Sequence, residues 1–257
     1  MKKTLMLLMI ICAGISIQSC KKNKGGSTGR MEVRMTDSPG DFTALHVQIM
    51  KIEAYSDNSG WVTVNETTKE INILSLTNGA EVTVASVTEV QVGLYTKLRL
   101  TFTGENSLSY NGSNGPNVIN LLFSSSYSHQ VEVPIQCQVN AGATASVLLD
   151  FNVALSVKEA NGTYTLDPVL AEVTDPETGV QGHIDGSTQA AISLSNGSHT
   201  ASTFTNADGF FMLRGVPDGT YLMKIEGKSA GDIALSQKSQ NVTISKGQIK
   251  NIGSIQL

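Results

Sequence analysis

The chain is predicted to be all-β, with two β-sandwich domains in tandem behind a short apolar leader. Three observations lead there. Of 257 residues, only 16% are charged and 5% aromatic. Gly, Ser, Thr, Asn and Val are prominent, which suits strands joined by tight turns rather than long surface helices. Apolar residues recur with period two in short runs bounded by Gly, Pro, Asn and Asp. The strand pattern breaks at "TDPETG", residues 174–179, and then resumes for about 80 residues.

The leader comes first. "MKK" is positive, and "TLMLLMIICAGISI" follows without a charge. The run is short for a membrane span and suits a signal-peptide core. It ends at "IQSC", ahead of "KKNKGGSTGR". Ile17, Ser19 and Cys20 resemble the lipobox of bacterial lipoproteins, although Gln18 stands where Ala or Ser is commoner. In that family the cysteine takes a diacylglycerol and the chain is cut just before it.

The resemblance implies a lipoprotein signal peptide over residues 1–19, lipidation of Cys20, and a flexible lipid-anchored tether over 20–30. Cleavage takes Lys2 and Lys3 from 18 basic residues and leaves the 22 acidic residues in excess by six. Membrane attachment therefore rests on acyl chains, at ~0.8 kcal/mol per buried CH₂. The tether carries Lys21, Lys22, Lys24 and Arg30, with no acid before Glu32. Some Gram-negative groups export lipoproteins to the surface through acids just after the cysteine. The basic tether instead places this protein on the periplasmic side of the outer membrane. Envelope proteins or glycans are the expected partners there. The net charge of −4 excludes nucleic acid.

The first domain is read over 31–174. "MEVRM" alternates, and "ALHVQIMKIEAY" alternates but slips in phase near Met50–Lys51, which predicts a β-bulge. "SDNSG" is a turn, and "WVTV" and "EINIL" are strands. "LTNGAEVTVASVTEV" reads as a turn and strand in preference to a loose helix. In "GLYTKLRLTFTG", Leu94, Leu98, Leu100 and Phe102 are expected to share one face, with Tyr95, Lys97, Arg99 and Thr101 on the other. "NGSNGP" is read as a loop. "VEVPIQCQV", "ATASVLLDFNVALSV" and "VLAEV" complete the series, with Pro134 marking an edge or a bulge.

The second domain is read over 178–257, with seven strands in "VQGHI", "QAAISLS", "GSHTASTFT", "GFFMLRGV", "TYLMKIEG", "QNVTISKG" and "KNIGSIQL". Its glycines raise the possibility of a phosphate cradle, which needs a helix behind the glycines. Here "FFML" follows Gly209 and "TYLMKI" follows Gly219, and both are strand formers. "NADG" and "PDG" are turn signals, so the glycines are punctuation. "GLYTKLRL" and "GTYLMKIE" both set Gly-x-Tyr before a long strand, which predicts a tyrosine packed at each sandwich corner.

Gly182 in "VQGHI", "AISLS", "TFTNADGFFMLRGVPDGTYLMKIEG" and "VTISKGQIKNIGSIQL" resemble the carboxypeptidase regulatory-like domain, a transthyretin-like sandwich. That module accompanies catalytic domains and outer-membrane proteins and is not itself a peptidase. It belongs to a carbohydrate-binding-like superfold, from which sugar binding does not follow. "MEVRMTDSPGDFTALHVQIMKIEAY", "GWVTV", "INILSLTNGA", "VGLYTKLRLTF" and "LLDFNVALSV…GTYTLDPVLAEV" resemble domain-of-unknown-function family 4382, over about residues 30 to 173. That family, found in secreted and lipid-anchored bacterial proteins, implies a fold and no chemistry.

The chemistry-bearing residues are sparse. His46, His129, His183 and His199 are scattered, with no zinc spacing among them. G-x-S-x-G occurs at Gly25–Gly29, in the tether, and at Gly227–Gly231, but neither stands in a strand-to-helix turn as a nucleophile elbow requires. Once Cys12 leaves and Cys20 is lipidated, Cys137 is alone, and its strand predicts a small buried hydrophobe. Asp37 in "TDSPGD" is the most tempting polar residue, read as an Asx-type turn ending its strand. "NADG" lacks the acidic repeat of a calcium loop. Trp61 is expected to pack in the core. Tyr110 and Tyr127 flank "NGSNGPNVINLLFSSSYS" and mark the candidate ligand surface. No catalytic residue, cofactor or metal is expected. The chain reads as a non-catalytic envelope lipoprotein, a binding or structural component. The alternatives are a carbohydrate-binding accessory lipoprotein and an enzyme with a loop-assembled site.

Overall fold

A computed structural model describes residues 27–38, 42–112, 115–187, 189–228 and 234–257. The leader and Cys20 lie outside the described residues. The first sandwich contains β1 (Thr28–Ser38), β2 (Ala44–Ser56), β3 (Gly60–Asn65), β4 (Lys69–Asn72), β5 (Val82–Gln91), β6 (Gly93–Phe102), β7 (Ser107–Gly112), β8 (Gly115–Asn120), β9 (Leu122–Phe123), β10 (Gln130–Val139), β11 (Thr144–Asn152), β12 (Val157–Ala160), β13 (Thr163–Leu166) and β14 (Leu170–Glu172). The second contains β15 (Gly179–Asp185), β16 (Gln189–Ser195), β17 (Thr200–Phe204), β18 (Phe210–Arg214), β19 (Gly219–Lys228), β20 (Ala234–Ile244) and β21 (Ile249–Gln256). The fold is all-β in two sandwiches, as composition and periodicity predict.

In the first sandwich, a sheet in the order β14-β11-β1-β5 faces one in the order β10-β6-β2-β7-β8, with β3 and β4 also on β2. β1 runs parallel to β11 and antiparallel to β5. The alternation of β1 sends Met31, Val33 and Met35 into the core, where they meet Leu45, Val47, Ile49, Leu98, Phe102 and Phe151. The register of β2 against β6 slips between Ile49 and Lys51, so the bulge lies where the phase of the sequence breaks. Pro134 sits in β10, whose register slips between Pro134 and Cys137. β10 ends its sheet, where a missing N–H is tolerated.

Three local expectations are corrected. Leu94 is 47% exposed and Tyr95 is buried, so β6 does not keep one phase. Tyr95 and Leu98 both turn inward because the partner strand β10 bulges opposite them. Asn111, Gly112 and residues 115–120, read as loop, belong to the paired strands β7 and β8, since "GPNVIN" carries strand formers behind the glycine. "VALS" leaves the strand as α1 (Val153–Ser156), because the Asn152 side chain accepts from the Leu155 N–H and caps a single turn.

The second sandwich packs β18-β15-β21 against β17-β16-β19-β20. Val180, Ile192, Leu194, Phe211, Tyr221, Met223 and Ile225 form its core. The two Gly-x-Tyr motifs behave alike. Gly93 and Gly219 take φ of 150° and 153°. The buried Tyr95 hydroxyl donates to the Gln91 carbonyl at 3.1 Å, and the buried Tyr221 hydroxyl to the Pro217 carbonyl at 3.0 Å. Each tyrosine fills a corner and satisfies its own hydroxyl four residues upstream.

The sandwiches dock through the turn after the 3₁₀ turn Ile73–Leu76. Asn78 and Gly79 both take positive φ there. The Asn78 Oδ1 accepts from the Met212 N–H at 3.3 Å and the Thr203 hydroxyl at 3.4 Å. Gly79 leaves room for the Met212 sulfur. Beside it, the Glu81 carboxylate is held by Arg34 of the first sandwich and Arg214 of the second. Arg214 also reaches the Pro176 carbonyl at 2.8 Å and Glu177 at 3.0 Å. Glu81→Ala leaves two guanidinium groups facing each other in a largely covered site. It is expected to cost about 2 kcal/mol and to separate the unfolding of the two sandwiches in scanning calorimetry. An unchanged thermogram would show that this contact does not couple them.

Candidate functional site

The docking leaves a cleft of about 510 Å³ between the sandwiches. One wall is the end of β1, β11 and β14, with Thr36, Asp37, Asp150, Asn152 and Glu172. The other comes from β17, β18 and the chain that follows, with His199, Ser202, Thr203 and Arg214. Its size and its place between domains are those of a small-ligand site. The parallel register sets Thr36 beside Asp150 and Asp37 beside Phe151. The Thr36 hydroxyl is spent on the loop, within 3.0 Å of the Leu76 carbonyl and 2.9 Å of the Ala80 carbonyl.

Asp37 follows Met31, Val33 and Met35 on β1 and is only 7% exposed. Neither carboxylate oxygen has a hydrogen-bond partner. This corrects the expected Asx-type turn, in which the side chain would accept a nearby backbone N–H. Burial, and then the charge of Asp150, push the carboxyl up to about 9. Glu172 is also raised by burial, although it accepts from the Gln136 N–H at 3.0 Å. Perturbed carboxyls bordering one cleft are the feature that singles it out.

Residues 28–168 match a family model described as a domain of unknown function (DUF4382). The chain belongs to the DUF4382 family. Residues 183–250 match the β-sandwich domain of ER membrane protein complex subunit 7. The search of curated proteins finds no match. Among solved structures, the chain is similar to the Bacillus anthracis TIE protein at 12% identity and a TM-score of 0.26, covering 91% of this chain and 39% of that one. It is similar to the shaft pilin SpaA of Lactobacillus rhamnosus GG at 12% identity and a TM-score of 0.23, covering 90% and 96%. It is similar to BcpA, the major pilin subunit of Bacillus cereus, at 10% identity and a TM-score of 0.24, covering 88% and 69%. The chain thus spans well under half of the Bacillus anthracis protein, and no role is transferred from any of the three.

The DUF4382 sandwich places the other sequence-marked residues away from the cleft. Tyr110 packs on Tyr164 with ring centroids 5.1 Å apart. Tyr127 lies 4.9 Å from Phe123, in a cluster with His129. The Tyr127 hydroxyl is buried without a partner, and burial raises its pKa. Trp61 is half-buried on the outer sheet face rather than in the core. The Arg99 guanidinium covers its ring at 3.8 Å, and Tyr55 lies 5.3 Å away. Cys137 is buried, and desolvation pushes its thiol up to about 11, as suits a core residue. Among the described residues, no three His, Cys, Asp or Glu side chains gather as a metal centre.

Asp37 gives the cleft a pH signature. The folded protein holds a proton there that the unfolded chain, with an ordinary value of 3.8, releases. Stability from this group is therefore full below about pH 4 and is lost as pH rises toward about 9. In buffer containing EDTA, Asp37→Asn is expected to flatten the fall of Tm across that window and to gain about 1–3 kcal/mol at its alkaline end. Parallel wild-type and variant curves would remove this assignment.

Proposed function

We propose that the protein is a non-catalytic lipoprotein of the Gram-negative envelope, a binding or structural component made of two sandwich modules over 31–174 and 178–257. The second module is read as carboxypeptidase regulatory-like, on its "TNADGFFMLRGVPDGTY" core. Acyl chains on Cys20 hold the body to the outer membrane, and the basic tether keeps it close to anionic headgroups on the periplasmic face.

The observation that carries this reading is the docking of the sandwiches. Asn78 and Glu81 of the first are bound by Thr203, Met212 and Arg214 of the second. Two modules joined in this way form one body with a defined cleft, held on a short tether. Such a body suits display or spacing.

Two measurements test it. Cys20→Ser is expected to move the protein from the membrane fraction to the soluble periplasm. An unmodified mature N-terminus in mass spectrometry of the wild type would sink the lipoprotein reading. Protease added to intact cells is expected to spare the protein along with a periplasmic control. Its loss from unbroken cells would place it on the outer surface instead.

A further inference from the structure

We propose that the end of the first sandwich at which the tether enters rests on the lipid bilayer, with the exposed side chains of Val92 and Leu94 set among the headgroups. The inference rests on the lipoprotein reading above. Its first support is the place of entry. The Val92 N–H donates to the Ser27 carbonyl at 3.0 Å, so the turn between β5 and β6 is bonded to the residue just before β1. Ser27 stands seven residues after Cys20, a stretch that reaches at most about 25 Å when fully extended. An acyl anchor on Cys20 keeps this turn within that distance of the membrane surface.

The second support is the chemistry of that end. Val92 is 36% exposed and Leu94 47%, with only Gly93 between them. The turn between β10 and β11 is tied to the same entry point. Its Gly142 N–H donates to the Thr28 carbonyl at 2.9 Å, and its Ala143 carbonyl accepts from the Arg30 N–H at 2.8 Å. Residues 91–94 and 140–143 carry no charge. Two neighbouring turns thus reach the headgroup boundary with no ionised group to strip of water. Single exposed apolar residues are ordinary on a protein surface. These two lie at the place that the anchor holds next to lipid.

The surrounding charge agrees. Glu89 on β5 and Asp57, beside the Asn58 amide that lies next to Gly93, bring two acids to this end. Lys21, Lys22, Lys24 and Arg30 outweigh them and suit anionic headgroups. Two aliphatic side chains would not hold a free protein on a bilayer. On a short tether the docking is intramolecular, at a high effective concentration, so a weak contact is enough. β1 runs from this end to Asp37 at the cleft, up to about 30 Å away. Docking therefore stands the body on its first sandwich and holds the interdomain cleft off the membrane.

The test couples the full mature chain through its Cys20 thiol to a maleimide-bearing lipid, in vesicles of phosphatidylethanolamine and phosphatidylglycerol. Cys137 is buried and does not compete. Coupling supplies the anchor whatever the cell does to Cys20. Trp61, the only tryptophan, is first replaced by Phe. Leu94→Trp is then expected to lose at least half of its fluorescence when the acyl chains are brominated near the headgroup. Ser202→Trp, at the cleft, is expected to keep its fluorescence. Adding Val92→Asp is expected to restore the Leu94→Trp signal, with an unchanged far-UV circular dichroism spectrum. If Leu94→Trp does not fold, Val92→Trp with Leu94→Asp takes its place. Absent quenching at the turn, or equal quenching at turn and cleft, would overturn the proposal. So would a dimer in sedimentation that Val92→Asp abolishes, because a second copy would then cover the turn. An unmodified Cys20 in cells would sink the lipoprotein reading, and this docking in the cell with it, a failure told apart from absent quenching in the coupled vesicles.

Discussion

Glu81 carries one negative charge, and arginines from two different sandwiches share it. Arg34 belongs to β1, the strand that runs between β11 and β5, and Arg214 ends β18. All three side chains are largely covered, so removing Glu81 takes away the carboxylate that both guanidinium groups share in a poorly solvated place. The contact fixes how the second sandwich sits on the first. The cleft, its two walls and the packing of Met212 over Gly79 follow from that placement. Without it, Asp37 and Asp150 would border open solvent instead of a bounded site.

The same few residues do several jobs because both rows of β1 are crowded. Its inward row supplies Met31, Val33 and Met35 to the core, and its outward row supplies Arg34 to the docking contact and Thr36 to the loop carbonyls. Asp37 comes next on the inward row, where a fourth apolar side chain would be the simplest choice. An unpaired carboxyl at that point costs stability. A group kept at such cost is where function is sought first, because core packing gives no reason for it.

Much of this architecture is legible in the sequence. The phase slip at Met50–Lys51, the edge proline Pro134, the seven strands after residue 178 and the paired Gly-x-Tyr corners all follow from local rules of periodicity and turn chemistry. Two of the departures rest on information held by a partner strand, and one on a local cap. Leu94 and Tyr95 exchange faces because β10 bulges opposite β6. The "VALS" turn depends on Asn152 capping, which a run of apolar residues hides. Trp61 sits outside the core because Arg99, 38 positions later, is presented to its ring by β6.

The site was less legible for the same reason. "TDSPGD" marks Asp37 as polar at a strand end, which fits an ordinary turn as well as a ligand. Only the parallel pairing of β1 with β11, across more than a hundred residues, brings it near Asp150. Only the second sandwich closes the other side. Aromatic side chains pointed elsewhere, to Tyr110 and Tyr127, because exposed rings stand out in a polar loop. In the fold those rings are occupied by Tyr164, Phe123 and His129. A ligand surface on this scaffold is therefore better sought in oxygen donors between the domains than in stacking platforms at the loop.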